Sequence, residues 1–166
     1  MIEIEQKYRI SNPPLIRQRL LQLGARRIKS GRERNELFDL DGNLRKRKSL
    51  LRLRLWGKRD AWLTFKGPRL RGQFKRRLEL ETMVDYNRAK LILQYLDFKV
   101  VARYEKRREA FKLSSCIVAL DYLLPKHGWF LEVEGSSRNI RQVAKRLGLQ
   151  KVDQEERSYP ELLKIK

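Results

Sequence analysis

Residues 77–81 read Arg-Leu-Glu-Leu-Glu, and residues 2–7 read Ile-Glu-Ile-Glu-Gln-Lys. In both stretches charged residues alternate with apolar ones. Successive side chains of a β-strand point to opposite faces of a sheet, so each stretch predicts a strand with one charged face and one apolar face. The same pattern occurs at residues 51–55 and 131–134, and Lys106 with Arg108 forms a further charged row.

Extending this pattern along the chain predicts about eight strands that short turns connect. We place them at residues 2–10, 25–40 (as one or two strands), 50–56, 61–66, 74–84, 99–112, 116–123 and 129–135. Four helical segments complete the prediction. The first helix lies between the capping residues 11–14 and Gly24, and its apolar face is formed by Ile16, Leu20, Leu21 and Leu23. The second lies at residues 86–96 and has Ala89, Ile92, Leu93 and Leu96 on one face. Two further helical segments lie near residues 139–147 and 155–165.

The charged face of such a sheet has two explanations. In a two-layer sheet it meets solvent, which is the usual meaning of this alternation. Here the charges are ordered by sign, and the amphipathic helices need an apolar sheet face to cover. If the sheet closes, the charged rows line its interior, and a barrel of about eight strands has room for one small ligand. We predict a mainly antiparallel β fold of the α+β class, a closed eight-stranded β-barrel (tunnel) with amphipathic helices packed outside, as a single domain over residues 1–166.

Composition narrows the class of partner. The formal net charge is +20, from 40 Lys and Arg against 20 Asp and Glu, so an anionic partner is expected. Phosphate-bearing molecules, nucleic acid and a membrane surface all fit this charge. The single cysteine, Cys116, lies in an apolar run and predicts buried filler rather than a nucleophile. The sequence shows neither a secretory signal nor an apolar stretch of about 20 residues, so we expect a cytoplasmic protein without membrane association.

A polar tunnel with both signs of charge suits a triphosphate. Arginine forks give bidentate hydrogen bonds to phosphate oxygens, and lysine supplies point charge. Glutamates beside an anionic ligand would repel it unless they bind Mg²⁺ or Mn²⁺, which prefer oxygen ligands. The one histidine, His127, lies in a turn, which argues against a Ser-His-Asp triad or a zinc site.

The charged motifs resemble the CYTH, or triphosphate tunnel metalloenzyme, family. Glu-x-Glu-x-Lys at residues 3–7 is its N-terminal signature, and residues 51–54, 63–68, 77–81, 106–108, 120–121 and 130–134 continue the family's motifs in order. The Lys-Gly-Pro segment at residues 66–68 and the closing residues 156–163 are most similar to the class IV adenylyl cyclase branch. Two departures concern cyclisation: Leu37 stands where an aromatic is common, and a His-Pro pattern is missing between Asp39 and Arg52.

The resemblance implies roles for individual residues and dependence on Mg²⁺ or Mn²⁺. As metal ligands it implies Glu3, Glu5, Glu132 and Glu134, with Glu79, Glu81 and Asp121 assisting. As phosphate-binding residues it implies Lys7, Arg52, Arg54, Lys66, Arg77, Lys106 and Arg108. Catalysis is expected to depend on Glu3, Glu5, Lys7 and Lys66.

Three functions follow from this reading. The favoured one is hydrolysis of inorganic tripolyphosphate or a nucleoside triphosphate. The first alternative is a class IV-type adenylyl cyclase that converts ATP to cyclic AMP and pyrophosphate. The second is a non-catalytic module that binds polyphosphate or an RNA 5′ end, to which exposed basic stretches such as residues 45–48 would contribute. The expected partner is a small triphosphate, and a homodimer is compatible with the resemblance.

Overall fold

A computed structural model describes residues 1–164 and shows a closed antiparallel barrel in the order β1-β5-β4-β3-β2-β6-β7-β8. This confirms the predicted eight-stranded barrel. The strands are β1 (Ile2–Ile10), β2 (Arg26–Asp39), β3 (Leu50–Trp56), β4 (Asp60–Lys66), β5 (Lys75–Val84), β6 (Lys99–Leu113), β7 (Cys116–Leu123) and β8 (Gly128–Glu134). The helices are α1 (Pro13–Gln22), α2 (Asn43–Lys46), α3 (Tyr86–Tyr95), α4 (Ser137–Leu147) and α5 (Tyr159–Leu162), with a 3₁₀ helix at Lys151–Asp153.

Two predicted segments differ from the structure. Residues 25–40 form one long strand, β2, which pairs with β6 along most of its length and takes up two register shifts on the way. The final helical segment was predicted at residues 155–165, but α5 is a single turn because residues 155–158 approach the barrel in extended form. Ile165 lies outside the described residues.

The largest hydrophobic cluster lies outside the barrel, between the sheet and two helices. Ile140, Val143 and Leu147 of α4 pack with Ile16 and Leu20 of α1 against the outward face of strands β6, β7 and β8. Full burial of each such side chain contributes about 1.5–3 kcal/mol. The apolar rows of these strands therefore face the helices, which leaves the charged rows for the interior.

Two helices bury a narrower face than their sequence spacing predicted. In α1, Leu21 is exposed although it was assigned to the apolar face. In α3, Ala89 and Leu93 are buried, whereas Ile92 and Leu96 are exposed at 59% and 58%. A helix that lies on a convex barrel reaches it along one narrow strip, so neighbouring apolar positions remain in solvent. Among the described residues, no helix is long and apolar enough to cross a membrane.

A second cluster closes one end of the barrel from within. Leu37, Tyr104, Leu123 and Phe130 point inward there and pack against Tyr159 at the start of α5. The Tyr159 ring lies edge-on to Phe130, with 5.7 Å between centroids. This apolar seal separates the polar interior from solvent at that end.

Candidate functional site

The barrel interior holds a cavity of about 830 Å³. Of the fourteen predicted site residues, all except Asp121 line it: Glu3, Glu5, Lys7, Arg52, Arg54, Lys66, Arg77, Glu79, Glu81, Lys106, Arg108, Glu132 and Glu134. Their two-residue spacing on five strands, together with Lys66 on β4, turns them toward the barrel axis. Among residues 1–164, nine lysine or arginine side chains and six glutamates line the cavity. The lining therefore carries a positive surplus and also offers oxygen ligands.

Asp121 lies just beneath the lining and organises the cationic side of the cavity. Its carboxylate is fully buried and accepts hydrogen bonds from Lys106 Nζ at 3.0 Å and from Arg108 Nε at 2.7 Å. It also accepts one from the Tyr159 hydroxyl at 2.6 Å. Burial, together with the negative charges of Asp121 and Glu132, raises the pKa of Tyr159 well above its usual value. Asp121 thus holds two cations in place and ties α5 to the barrel.

A second buried carboxylate, Glu33, stands behind the same cations. It has no solvent exposure, and its oxygens lie 3.6 Å from Lys106 Nζ and 3.9 Å from Arg54 Nη1. Burial opposes its ionisation, but the positive charges of Lys106, Arg108, Arg52 and Arg54 lower the pKa of Glu33 to about 2. Glu33 is therefore an anion at neutral pH and balances part of the charge that these side chains direct into the cavity.

Lys7 reaches the cavity next to the seal. Its Nζ lies 3.3 Å from Glu132 Oε1 and 3.7 Å from the centroid of the Tyr159 ring, and it donates a hydrogen bond to the carbonyl of Arg157 at 3.2 Å. Glu132 also forms an ion pair with Arg108. Although burial opposes its ionisation, Lys106, Lys7 and Arg108 hold the pKa of Glu132 well below its usual range. Glu132 is thus engaged by cations.

The opposite wall brings carboxylates close together. Lys66 Nζ bridges Glu3 and Glu79, at 2.8 Å and 2.7 Å from their Oε2 atoms. Burial, and then the adjacent Glu79, raise the pKa of Glu3. Glu134 pairs with Glu5 across β1 and β8. Burial and the negative charges of Glu3, Glu5 and Glu132 raise the pKa of Glu134. Like charges are therefore crowded on this wall.

Comparison with known families decides the affiliation of the chain. The model of the CYTH domain family matches residues 1–159. The protein belongs to the CYTH family. No curated protein matches its sequence.

Solved structures share the CYTH barrel over nearly the whole chain. The protein PH1012 from Pyrococcus horikoshii OT3 is 31% identical, with a TM-score of 0.83 over 96% of this chain and 98% of that one. A Vibrio parahaemolyticus protein described as a candidate adenylate cyclase is 22% identical, with a TM-score of 0.89 over 99% and 98%. HpAC1 from Hippeastrum, a candidate adenylyl cyclase described as having a dominant triphosphatase activity, is 18% identical, with a TM-score of 0.75 over 98% and 95%.

The carboxylate wall fits the divalent metal that CYTH resemblance implies. Within residues 1–164, no three carboxylate, imidazole or thiolate side chains converge closely enough to hold an ion by themselves. Mg²⁺, however, usually keeps water and takes only one or two carboxylates together with substrate phosphates. Glu5 and Glu134 face each other across two strands, and Glu3 adds a third oxygen donor to the same wall. A cation there would offset both the burial and the like-charge repulsion that raise the pKa of Glu3 and Glu134.

The remaining predicted ligands also have cationic partners, as Glu3 has in Lys66 and Glu5 in Lys75. Glu79 contacts Lys66, and Glu132 contacts Lys7 and Arg108. Glu81 accepts hydrogen bonds from Arg54 at 2.7 Å and from the Thr64 hydroxyl at 2.6 Å. Together with Asp121, these residues stay predictions as metal ligands.

Sequence reasoning missed several residues of this CYTH site, among them Lys75, Arg69, Glu33 and Tyr159. Lys75 lines the cavity 3.6 Å from Glu5, and its two-residue offset from Arg77 was the signal that could have found it. Glu33 has the parity of the inward residues of β2, which the same rule would have shown. Tyr159 belongs to a C-terminal segment without strand periodicity, so no local pattern places it inside the barrel.

Proposed function

We propose that this CYTH protein is a metal-dependent enzyme that hydrolyses the terminal phosphoanhydride bond of inorganic tripolyphosphate or a nucleoside triphosphate. The observation that carries the proposal is the charge of the cavity lining. Arg52, Arg54, Lys106 and Arg108 of β3 and β6 form a cationic wall, and Glu3, Glu5 and Glu134 of β1 and β8 form a carboxylate wall. A chain of phosphates needs several cations spread along it, whereas crowded carboxylates serve an anionic ligand only through a metal.

The cationic wall binds and orients the substrate. Arg52, Arg54 and Arg108 supply guanidinium forks to phosphate oxygens. Asp121 holds Arg108 from behind by hydrogen bonds, and Glu33 places a negative charge 3.9 Å from Arg54. Lys106, Lys75 and Arg77 extend the positive charge along the cavity. Because Asp121 already holds Lys106 and Arg108 in place, little reorganisation of these two donors accompanies binding.

The terminal phosphate of the substrate, where the reaction takes place, lies beside Glu3, Glu5 and Glu134. A water attacks the terminal phosphorus and releases a proton to solvent, while the bond from that phosphorus to the bridging oxygen breaks. Negative charge therefore develops on the departing pyrophosphate or nucleoside diphosphate. Lys66 and Lys7 neutralise that charge, because both ammonium groups are held inside the cavity by glutamates. Mg²⁺ or Mn²⁺, held by Glu3, Glu5 and Glu134, would neutralise phosphate oxygens and lower the pKa of a bound water.

Incubation of the purified protein with tripolyphosphate, and separately with ATP, tests the proposal. Each reaction contains Mg²⁺ or Mn²⁺, and chromatography resolves the products. We expect orthophosphate. Because the structural relatives include a candidate adenylate cyclase and a protein described as having triphosphatase activity, the products of hydrolysis and of cyclisation are both measured. Pyrophosphate with cyclic AMP would instead establish the cyclase alternative, and tight binding without any product would establish a non-catalytic receptor.

We expect the affinity for the metal to decrease as the pH is lowered. The decrease should begin at a higher pH than the pKa of an ordinary glutamate would predict. The raised pKa values of Glu3 and Glu134 mean that protons compete with the metal at a pH where an exposed glutamate is already ionised. Calorimetric titration with Mn²⁺ from about pH 8 down to about pH 5 measures this competition. The Glu134→Gln variant should bind Mn²⁺ more weakly and with a flatter pH dependence. An affinity that is independent of pH in the parent protein would remove Glu3 and Glu134 from the metal site.

A further inference from the structure

A second cleft, of about 360 Å³, lies outside the barrel. It is bounded by α4, by residues 73–74 before β5, and by residues 148–154. None of its lining residues lines the tunnel cavity. The two cavities lie back to back on β1, because Tyr8 contributes to the outer cleft while its neighbour Lys7 points into the tunnel.

The polar lining of the outer cleft is cationic and amidic. Its charged members are Arg141, Lys145 and Lys151, and the glutamines at positions 73, 150 and 154 add neutral donors and acceptors. Arg141 and Lys145 are four residues apart on α4 and therefore project on the same side of the helix. Within the part of the chain that the structure describes, no carboxylate lines the cleft. The neighbouring Asp153 is occupied in accepting a hydrogen bond from the backbone N–H of Gln150 at 3.2 Å.

Arg141 is exposed but contacts two other residues of the cleft. It donates a hydrogen bond to Gln73 Oε1 at 3.1 Å, and its guanidinium carbon lies 5.8 Å from the centroid of the Phe74 ring. Phe74 and Tyr8 are almost fully buried and give the cleft a rigid floor. These contacts direct the Arg141 guanidinium toward the cleft, and a partly ordered guanidinium loses less side-chain freedom when it binds an anion.

We propose that this outer cleft is a second anion site, which binds the phosphoryl groups of a small polyanion independently of the tunnel. Two ammonium groups and one guanidinium match the oxygens of a phosphate or short polyphosphate, and the glutamine amides add donors. Most of the positive charge of the chain lies outside the tunnel lining, which supports an anion site outside the tunnel. The tunnel lining has a surplus of only three cations, whereas the chain has a net charge of +20. The size of the cleft favours a small molecule over an extended nucleic acid.

Lysine acylation of the intact protein, read by mass spectrometry at each site, tests the proposal directly. With tripolyphosphate as the probe, labelling of Lys145 and Lys151 should slow by about fivefold at a concentration about four times the Kd, since the free fraction of the site equals 1/(1 + [L]/Kd). Lys126, exposed in the β7–β8 turn, is the control and should not change. Equal slowing at Lys126 would overturn the site, as would protection by single-stranded RNA but not by tripolyphosphate.

A pair of matched variants gives a second measurement. Arg141→Gln with Lys145→Gln removes two cations from the cleft, and Arg138→Gln with Arg146→Gln removes two exposed cations from the same helix. Calorimetry with tripolyphosphate should show two classes of site in the parent and in the control, but one in the cleft variant. Loss of the same class in both variants would overturn the proposal. If the tunnel itself does not bind tripolyphosphate, the class of binding site that both variants are expected to retain would be missing from the parent and from both variants.

Discussion

The substitution Glu5→Gln is expected to abolish metal-dependent turnover while the barrel remains folded. Gln keeps the shape of Glu but lacks the charge that would bind the cation opposite Glu134. Metal charge stabilisation in such reactions amounts to several kcal/mol, so we expect kcat to fall by about 1,000-fold or more. Product release from tripolyphosphate at saturating Mg²⁺ or Mn²⁺ measures the effect.

The control for this experiment is Glu156→Gln, which makes the same chemical change at an exposed residue outside the barrel cavity. Both variants should unfold at the temperature of the parent within a few degrees. Normal turnover in Glu5→Gln would exclude Glu5 from the metal site. A loss of structure in Glu5→Gln but not in Glu156→Gln would show that Glu5 serves the fold through its contact with Lys75, 3.6 Å away.

The substitution Asp121→Asn is expected to destabilise the protein more than any other single change in the cavity wall. It removes the negative charge that Lys106, Arg108 and the Tyr159 hydroxyl share, and it leaves buried cations without that partner. Breaking one side of a buried ion pair costs about 3–5 kcal/mol. Urea unfolding of the parent and the variant measures the difference in the free energy of unfolding.

Asp41→Asn is the matched control, because Asp41 is exposed and asparagine tolerates its left-handed backbone conformation equally well. The control should unfold within about 0.5 kcal/mol of the parent. If Asp121→Asn also lay within about 1 kcal/mol of the parent, Glu33 and Glu132 would be sufficient to neutralise the cations, and Asp121 would be an accessory residue.

The barrel and most of its lining could be predicted because alternation with a period of two is a local signal. Each charged residue in residues 77–81 identifies its own face of the sheet, and the argument about closure then places that face inside. The ion-pair partners could not be read in this way. Which cation meets Glu132, and that Asp121 lies beneath the lining, depend on the register between β6, β7 and β8.

The features that escaped prediction depend on three-dimensional shape. Ile92 and Leu96 have the right helical spacing for the buried face of α3, but the curvature of the barrel leaves them in solvent. Tyr159 seals the tunnel from a segment that was predicted only as a helix. Its place is set by contacts with Asp121 and Phe130, which are distant in the sequence.

β1 pairs with strands that are synthesised much later, so it lacks its partner strands during much of synthesis. β1 is made first, yet its partners β5 and β8 begin at Lys75 and Gly128. At 5–20 residues per second, the roughly 120 residues between β1 and β8 take about 6–24 s to emerge from the ribosome. An unpaired strand in that interval is a template for association with other nascent chains, and charged side chains along an edge oppose such pairing. We therefore expect the charges of Glu3, Glu5 and Lys7 to oppose association of the unpaired β1 segment with other nascent chains.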